Sequence, residues 1–390
     1  MKKIFSLLQQ LVEKQINYVV DLRHKLHQVP EPGFEEIKTA AIISAEIKKL
    51  GLKVQTEVAS TGIIADLITD KPGGYVLLRA DMDALAIKES TGAKYTSLNP
   101  EFAHSCGHDG HCAALIGTAR ILTQLRNELR GRIRFLIQPA EEICRGAQAM
   151  IDNGALEDQL PDAAFSAHAW PGLDTDCVAA RDQAMMASCD VMNITVIGKG
   201  GHGARPKLSN NPLLGTARII EALTGLDNSQ RIVSLCVARI GKQANVIANR
   251  GKLSGTVRAL DPQVRKQTLA QITSLVEKAC QPLGLKAAVT FDAMSPAVIN
   301  NQQLYQIFRQ VAGKLLGPEK VITLDEPSMG SEDFGCYLQH VPGLLFRVGM
   351  GHESAQLHQS HFDFNDKALR TAMLLLSGLA VQICCKGMPK

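Results

Sequence analysis

Apolar and polar positions along the chain follow two rhythms, and the switch between them divides the sequence. A helical spacing runs through residues 1–29, with Leu8, Leu11, Val12 and Ile16 on one stripe, and stops at Pro30 and Pro32. Residues 36–50 repeat it and end at Gly51. Strand-like runs follow at 53–57, 62–68 and 75–80, then an alanine- and leucine-rich helix over 108–125 and apolar strands over 132–138 and 163–169. Strands alternating with helices predict a layered α/β domain around a buried sheet.

After about residue 185 the pattern changes. Residues 189–196 alternate like a half-buried strand, 211–226 read as helix, 232–239 and 252–259 as strands, 262–280 as helix and 286–292 as strand. Strand-helix-strand-strand-helix-strand is the split order of a small α+β sandwich. A helix over 302–316, an apolar strand over 343–348 and a helix over 366–381 then resume the first pattern. The expectation is a discontinuous α/β domain, residues 1–184 and 296–390, interrupted by an inserted sandwich over 185–295.

Composition narrows the choice of chemistry. With 390 residues, 45% hydrophobic and 21% charged, the chain has the make-up of a globular protein with two or three domains. Its net charge of +4 is small, and no basic run is interleaved with aromatics, which argues against nucleic-acid binding. No apolar stretch reaches the ~18 residues expected of a membrane span, and the short run from Ile4 to Leu8 is broken by Gln9 and Gln10, as in a surface helix rather than an export signal. The ten cysteines are scattered and form no CxxC pair, so reduced thiols in the cytoplasm are expected. Cys112, Cys144, Cys177, Cys189, Cys236, Cys280 and Cys336 lie in apolar or mixed segments and read as buried, Cys384 and Cys385 as exposed.

Chemistry concentrates where the predicted strands end, the place where open α/β sheets bind ligands. The densest window, Phe102 to His111, holds Cys106, His104, His108, His111 and Asp109 with Gly107 between the closest donors. Thiolate and imidazole are ligands for zinc and its neighbours, and positions two apart in an extended segment point the same way. Asp81 and Asp83 follow one strand, Glu141 and Glu142 another, and His168 beside Trp170 a third; His358 and His361 sit near the end of the chain. Each has an ordinary structural alternative: helix-capping acids for the carboxylate pairs, a satisfied histidine for His168, a helix-opening turn for the last segment. Together they supply the donors that two divalent ions need, with one carboxylate left over as a base.

Six ordered stretches carry a resemblance: Asp81-Met82-Asp83-Ala84-Leu85, His104 to His111, Pro139-Ala140-Glu141-Glu142 with His168, Gly200-Gly201-His202-Gly203-Ala204-Arg205-Pro206, and Met329-Gly330-Ser331-Glu332-Asp333-Phe334. The chain resembles the M20 metallopeptidases, especially the N-acyl-amino-acid amidohydrolases that include hippurate hydrolases and auxin-conjugate hydrolases. The resemblance implies a catalytic α/β domain with a mixed sheet, an inserted lid that forms a homodimer, and two divalent ions (manganese, zinc, cobalt or nickel). It implies Cys106 as the shared ligand, His108, Glu142, His168 and His358 as the others, Glu141 as general base and Asp83 as the acid that orients ligands. His202 would help hold the substrate carboxylate or the tetrahedral oxyanion, reaching the site of the neighbouring subunit, and Asn245, Arg258 and Ser331 would line the substrate pocket. Ala86, Lys207, Ile247-Ala248 and Gln359-Ser360-His361 depart from the family pattern without removing any of these groups.

The implied reaction cleaves an N-acyl-L-amino acid to a carboxylic acid and an amino acid by a metal-activated water and Glu141. The alternatives are a dipeptidase or carboxypeptidase of the same chemistry, or a silent metalloprotein that binds acyl-amino acids, against which the intact Glu141-Glu142 pair speaks. Neither nucleic acid nor membrane is an expected partner.

Overall fold

The computed structural model describes residues 2–157 and 159–387. They divide into two compact units, one within residues 2–185, 299–326 and 333–387, the other of 186–298 and 327–332.

The first unit is built on an eight-stranded mixed sheet. In chain order its first five strands are β1 (Lys53–Val58), β2 (Gly62–Ile68), β3 (Tyr75–Asp81), β4 (Arg132–Gln138) and β5 (Ala163–Trp170). β3 lies between β4 and β5 and is parallel to both, and Gly343–Gly349 runs parallel to β5 on its other side. β1 and β2 are antiparallel additions at one edge. β3 is buried on both faces, as expected of a central parallel strand. Three helices, α1 (Lys2–His27), α2 (Ile37–Lys48) and α3 (His108–Gln124), belong to this unit, and α1 and α3 pack together with the helix Lys367–Lys386.

That last helix corrects one expectation. Its 20 residues are long and apolar enough to pass for a membrane span, five residues longer at its C-terminal end than the pattern suggested. Its side chains are spent on the core instead: Leu369, Met373, Leu376 and Ala380 are buried with Leu115, Ile116 and Phe346. Cys384 is buried too, whereas Cys236, expected inside, is exposed.

The second unit is a four-stranded antiparallel sheet in the order Arg231–Ile240, Arg250–Ala259, Ser188–Ile197, Lys286–Ser295. Ile194, Val196 and Val257 meet Ile219, Leu223, Ile272 and Val276 of the helices Pro212–Leu223 and Pro262–Cys280. Asn211 and Asp261 cap these helices with their side chains, and each helix has proline in its first turn, a start signal plain in the sequence. Alternation with period two and helical spacing thus fall in the predicted order.

A buried charge network ties α1 to the chemistry-bearing segments. Arg23 donates to Asp109 in the first turn of α3 (2.8 Å) and pairs with Asp363 and Asp366 near the C-terminal helix. His27 bridges Asp109 (2.8 Å) and Glu89 (3.3 Å). Burial by itself disfavours the imidazolium, but Asp109 and Glu89 overcome it and raise His27 to about 9. A group whose pKa rises on folding stabilises the protein fully below its unfolded value and loses that contribution as pH rises through the folded value. Stability is therefore expected to decline between about pH 6.5 and about 9, and His27→Gln to flatten that decline. Urea midpoints across the window check this; a parallel decline in the variant refutes it.

Candidate metal centre

The parallel strands deliver the donors. β3 and β4 end in register, Asp81 opposite Gln138, and His168 lies near the end of β5. The segments that leave these ends carry Asp83, Glu141 and Glu142. α3 begins at His108 behind Gly107, whose φ of 89° is a left-handed turn suited to glycine. This turn sets Cys106 immediately before the first turn of the helix.

Six predicted residues come together here: Cys106, His108, Glu141, Glu142, His168 and His358. Cys106 Sγ lies 3.6 Å from His168 Nε2. His108 Nε2 lies 3.8 Å from Glu142 Oε1 and 3.9 Å from Glu141 Oε2, and His358 Nε2 lies 3.6 Å from Glu142 Oε2. Donor atoms of Cys106, His108 and His168 fall within 4.8 Å of one another, and so do those of Cys106, Glu142 and His358. The two triads share the thiol.

Hydrogen bonds choose the tautomers. His108 Nδ1 donates to the Asp83 carbonyl (2.9 Å) and His168 Nδ1 to the Ala169 carbonyl (2.8 Å), which turns an Nε2 lone pair of each into the cluster. His111 donates from Nδ1 to Asp81 Oδ1 (2.6 Å), while its Nε2 accepts from the Ala169 N–H (2.8 Å).

The electrostatics fit a cation. Burial raises the Glu142 carboxyl to about 7, with Asp83 and Asp81 adding to it against His108. Burial, then Glu142, Glu141 and Asp81, holds the Cys106 thiol well above its usual range. Burial alone would lower His108, yet Asp81, Asp83 and Glu142 bring it up to about 10. His168 is held well down by burial and by His111, and stays neutral. Burial makes Glu142 and Cys106 resist becoming anions, neighbouring acids reinforce this and make His108 hold its proton, and a divalent ion would relieve that concentration of negative charge. His108 Nε2 and Glu142 Oε1 are buried without a hydrogen-bond partner, and their separation is that of two ligands with an ion between them at ~2.0–2.2 Å from each.

The turn bearing both glutamates is held from three sides. Ala140 and Cys144 adopt left-handed φ values of 54° and 51°, each costing on the order of 1 kcal/mol. Glu36 accepts the Ala140 N–H (2.9 Å), Asp83 Oδ2 the Glu142 N–H (2.9 Å), and Asp333 Oδ2 the Ala147 N–H (2.9 Å). Asp333 also accepts from Arg79 (3.0 Å) and Gln138 (2.7 Å), and Arg79 donates to Asp81 as well (2.6 Å). Sequence reasoning missed Glu36 and Asp333 as supports. Glu36 precedes a helix and looks like its cap, but its side chain caps nothing there. Asp333 carries no spacing signal. Arg79 and Asp81 did carry one, since alternate strand positions share a face.

Four predicted residues, His202, Asn245, Arg258 and Ser331, lie in the second unit. His202 and Val246 pair in register, and the Asn245 carbonyl accepts the Gly203 N–H (2.8 Å), so His202 and Asn245 belong to one small ribbon. Arg258 donates to the Met329 carbonyl (3.0 Å), and Ser331 hydrogen-bonds near Cys189 on the adjoining strand.

An α/β sheet with thiol, imidazole and carboxylate donors gathered at its strand ends defines a metal-dependent hydrolase. The profile of Peptidase family M20/M25/M40 matches residues 77–382, and the chain belongs to that family, as the sequence motifs had implied. It is 33% identical to the N-acetyl-L-cysteine deacetylase of Bacillus subtilis, over 94% of this chain and 87% of the relative. It is 31% identical to the hippurate hydrolase of Campylobacter jejuni, over 93% and 95%. The crystal structure of the Bacillus subtilis YXEP protein, a dinuclear metal-binding peptidase of the M20 family, superposes with a TM-score of 0.86 at 29% identity, over 95% of this chain and 99% of that one. The protein is a metal-dependent amide hydrolase.

Cys106→Ala is expected to lower bound metal below the wild-type stoichiometry, because it removes the donor common to both triads. Elemental analysis of the variant checks this; an undiminished metal content refutes it.

Proposed function

We propose that this protein hydrolyses N-acyl-L-amino acids to a carboxylic acid and an amino acid. The observation that carries the reading is the pair of donor triads meeting at Cys106, with Glu141 close by in a third group with His108 and Glu142. In this reading Cys106, His108, His168, Glu142 and His358 would hold two divalent ions, with Cys106 the donor common to both triads. A donor set of thiolate, imidazole and carboxylate accommodates zinc, manganese, cobalt or nickel. When bound, such ions polarise the amide carbonyl and lower the pKa of water.

The protein's own groups do the rest. Glu141 removes a proton from the attacking water and delivers it to the leaving nitrogen. Asp83 fixes His108 through its backbone carbonyl and Glu142 through its carboxylate, so one residue sets the orientation of a ligand on each side. His202 stabilises the developing oxyanion, and Asn245, Arg258 and Ser331 contact the substrate. The deacetylase and the hippurate hydrolase both act, by name, on an acylated amino acid, which supports the substrate class.

The same reading makes the protein a cytoplasmic homodimer, in keeping with ten unbridged thiols. The second unit supplies the dimer contact: its edge strand Arg231–Ile240 exposes Val237, and the helix Pro212–Leu223 exposes Leu213, Leu214 and Ile220.

Metal-loaded enzyme is expected to cleave N-acetyl- and N-benzoyl-amino acids at least ten times more efficiently, in kcat/KM, than dipeptides. The reverse preference would replace this reading with a dipeptidase or carboxypeptidase. Glu141→Gln is expected to lower kcat ~10²–10⁴-fold with metal content retained; near-normal turnover in that variant removes Glu141 from its role.

A further inference from the structure

Four arginines are buried in this protein: Arg23, Arg79, Arg134 and Arg347. Carboxylates meet the first three: Asp109, Asp363 and Asp366 at Arg23, Asp81 and Asp333 at Arg79, Asp66 at Arg134. Arg347 has no ion pair or side-chain hydrogen bond among the described residues. It is 7% exposed, and its Nε is buried without a partner. Its guanidinium carbon lies 3.5 Å from the centre of the Trp170 ring.

A cation on an aromatic face is attracted by the ring's negative face, but the ring engages none of the in-plane N–H donors. Burial without a counter-charge is costly for an ion, and here it lowers the guanidinium to about 10 with nothing opposing it. A planar fork stacked on an aromatic ring, with its donors unspent, is shaped for a bidentate carboxylate.

Its place in the sheet connects it with the chemistry. Arg347 pairs in register with His168 on the neighbouring parallel strand, so the two side chains project from the same face. The ring of Trp170 lies 6.3 Å from that of His168, whose Nε2 faces Cys106. The unpaired cation therefore stands one strand away from the donor cluster.

We propose that Arg347, stacked on Trp170, forms a carboxylate subsite that binds an anionic group of the substrate. This rests on the reading of the protein as an N-acyl-amino-acid hydrolase and narrows it: recognition requires a negative charge within reach of the cluster. That charge has two sources, the α-carboxylate of the amino acid or a carboxylate on the acyl chain.

The test uses full-length, metal-loaded protein in a Glu141→Gln background, so that binding is read without turnover. Calorimetric titration compares Arg347 with Arg347→Met for two matched pairs: N-acetylglycine with its amide, and N-succinylglycinamide with N-butyrylglycinamide. At least a tenfold loss of affinity for the charged member of either pair, with the neutral member unchanged, supports the subsite, and the affected pair identifies the source. Equal changes in charged and neutral probes, no change in any, or no binding of either charged probe to the protein with Arg347 intact overturns it. Arg347→Lys is expected to retain part of the preference for the charged probe; complete loss of that preference while its melting temperature holds would support the planar fork over simple charge. Removing an unpaired buried charge leaves stability unchanged or raised, so a marked fall in the melting temperature of Arg347→Met would make the arginine structural and overturn the proposal. Failure of the wild-type enzyme to hydrolyse any N-acyl-amino acid would refute the function proposed above while leaving this binding comparison readable.

Discussion

Everything in the centre depends on backbone N–H groups held by buried carboxylates. The turn after β4 presents Glu141 and Glu142 through two left-handed residues, a conformation the chain does not adopt unaided. Glu36, Asp83 and Asp333 grip it at residues 140, 142 and 147, and they come from three distant parts of the sequence. Asp83 also fixes His108 and Asp333 also holds Arg79, so the turn, the start of α3 and the end of β3 form one connected framework. Preorganisation of this kind lets an acid act at a fixed point without reorganising during the reaction.

The same framework concentrates negative charge in a place that water scarcely reaches. Asp81 is kept ionised well below the usual range: burial works against it, but His108, Arg79 and His111 prevail. Glu142 and Cys106 are pushed the other way. Neighbouring acids driven apart in this manner divide the labour between permanent anions that orient and groups that become anions when a cation arrives. Arg347 is the inverse case, a buried cation with no anion beside it.

How much of this was legible in the sequence follows from the range of the forces involved. Element type and order could be read because periodicity is local: Pro262–Cys280 and Gly62–Ile68 lie where their spacing put them. The short strands Val178–Ala180 and Val321–Thr323, which extend the large sheet, have too few residues to show a period. The six residues of the cluster were nameable because cysteine, histidine and acid at strand ends have few other uses, and because family motifs ordered them. Glu36, Asp333 and Arg347 were not, since each acquires meaning only from a partner, or the lack of one, more than a hundred residues away. The helix Lys367–Lys386 shows the opposite failure: its composition fits a bilayer and a protein core equally well, and only packing distinguishes them.

The order of donors along the chain also has a consequence for biogenesis. Cys106, His108, Glu142 and His168 are synthesised first, whereas His358 and the helix Lys367–Lys386 that packs into the core follow much later in the chain. At ~5–20 residues per second the ribosome makes the early donors many seconds before the last one. Throughout that interval a nascent chain carries a thiol, imidazoles and acids with no finished cage around them. Closure of the cage thus waits on both His358 and the helix that backs the sheet, which reach the fold long after the first four donors.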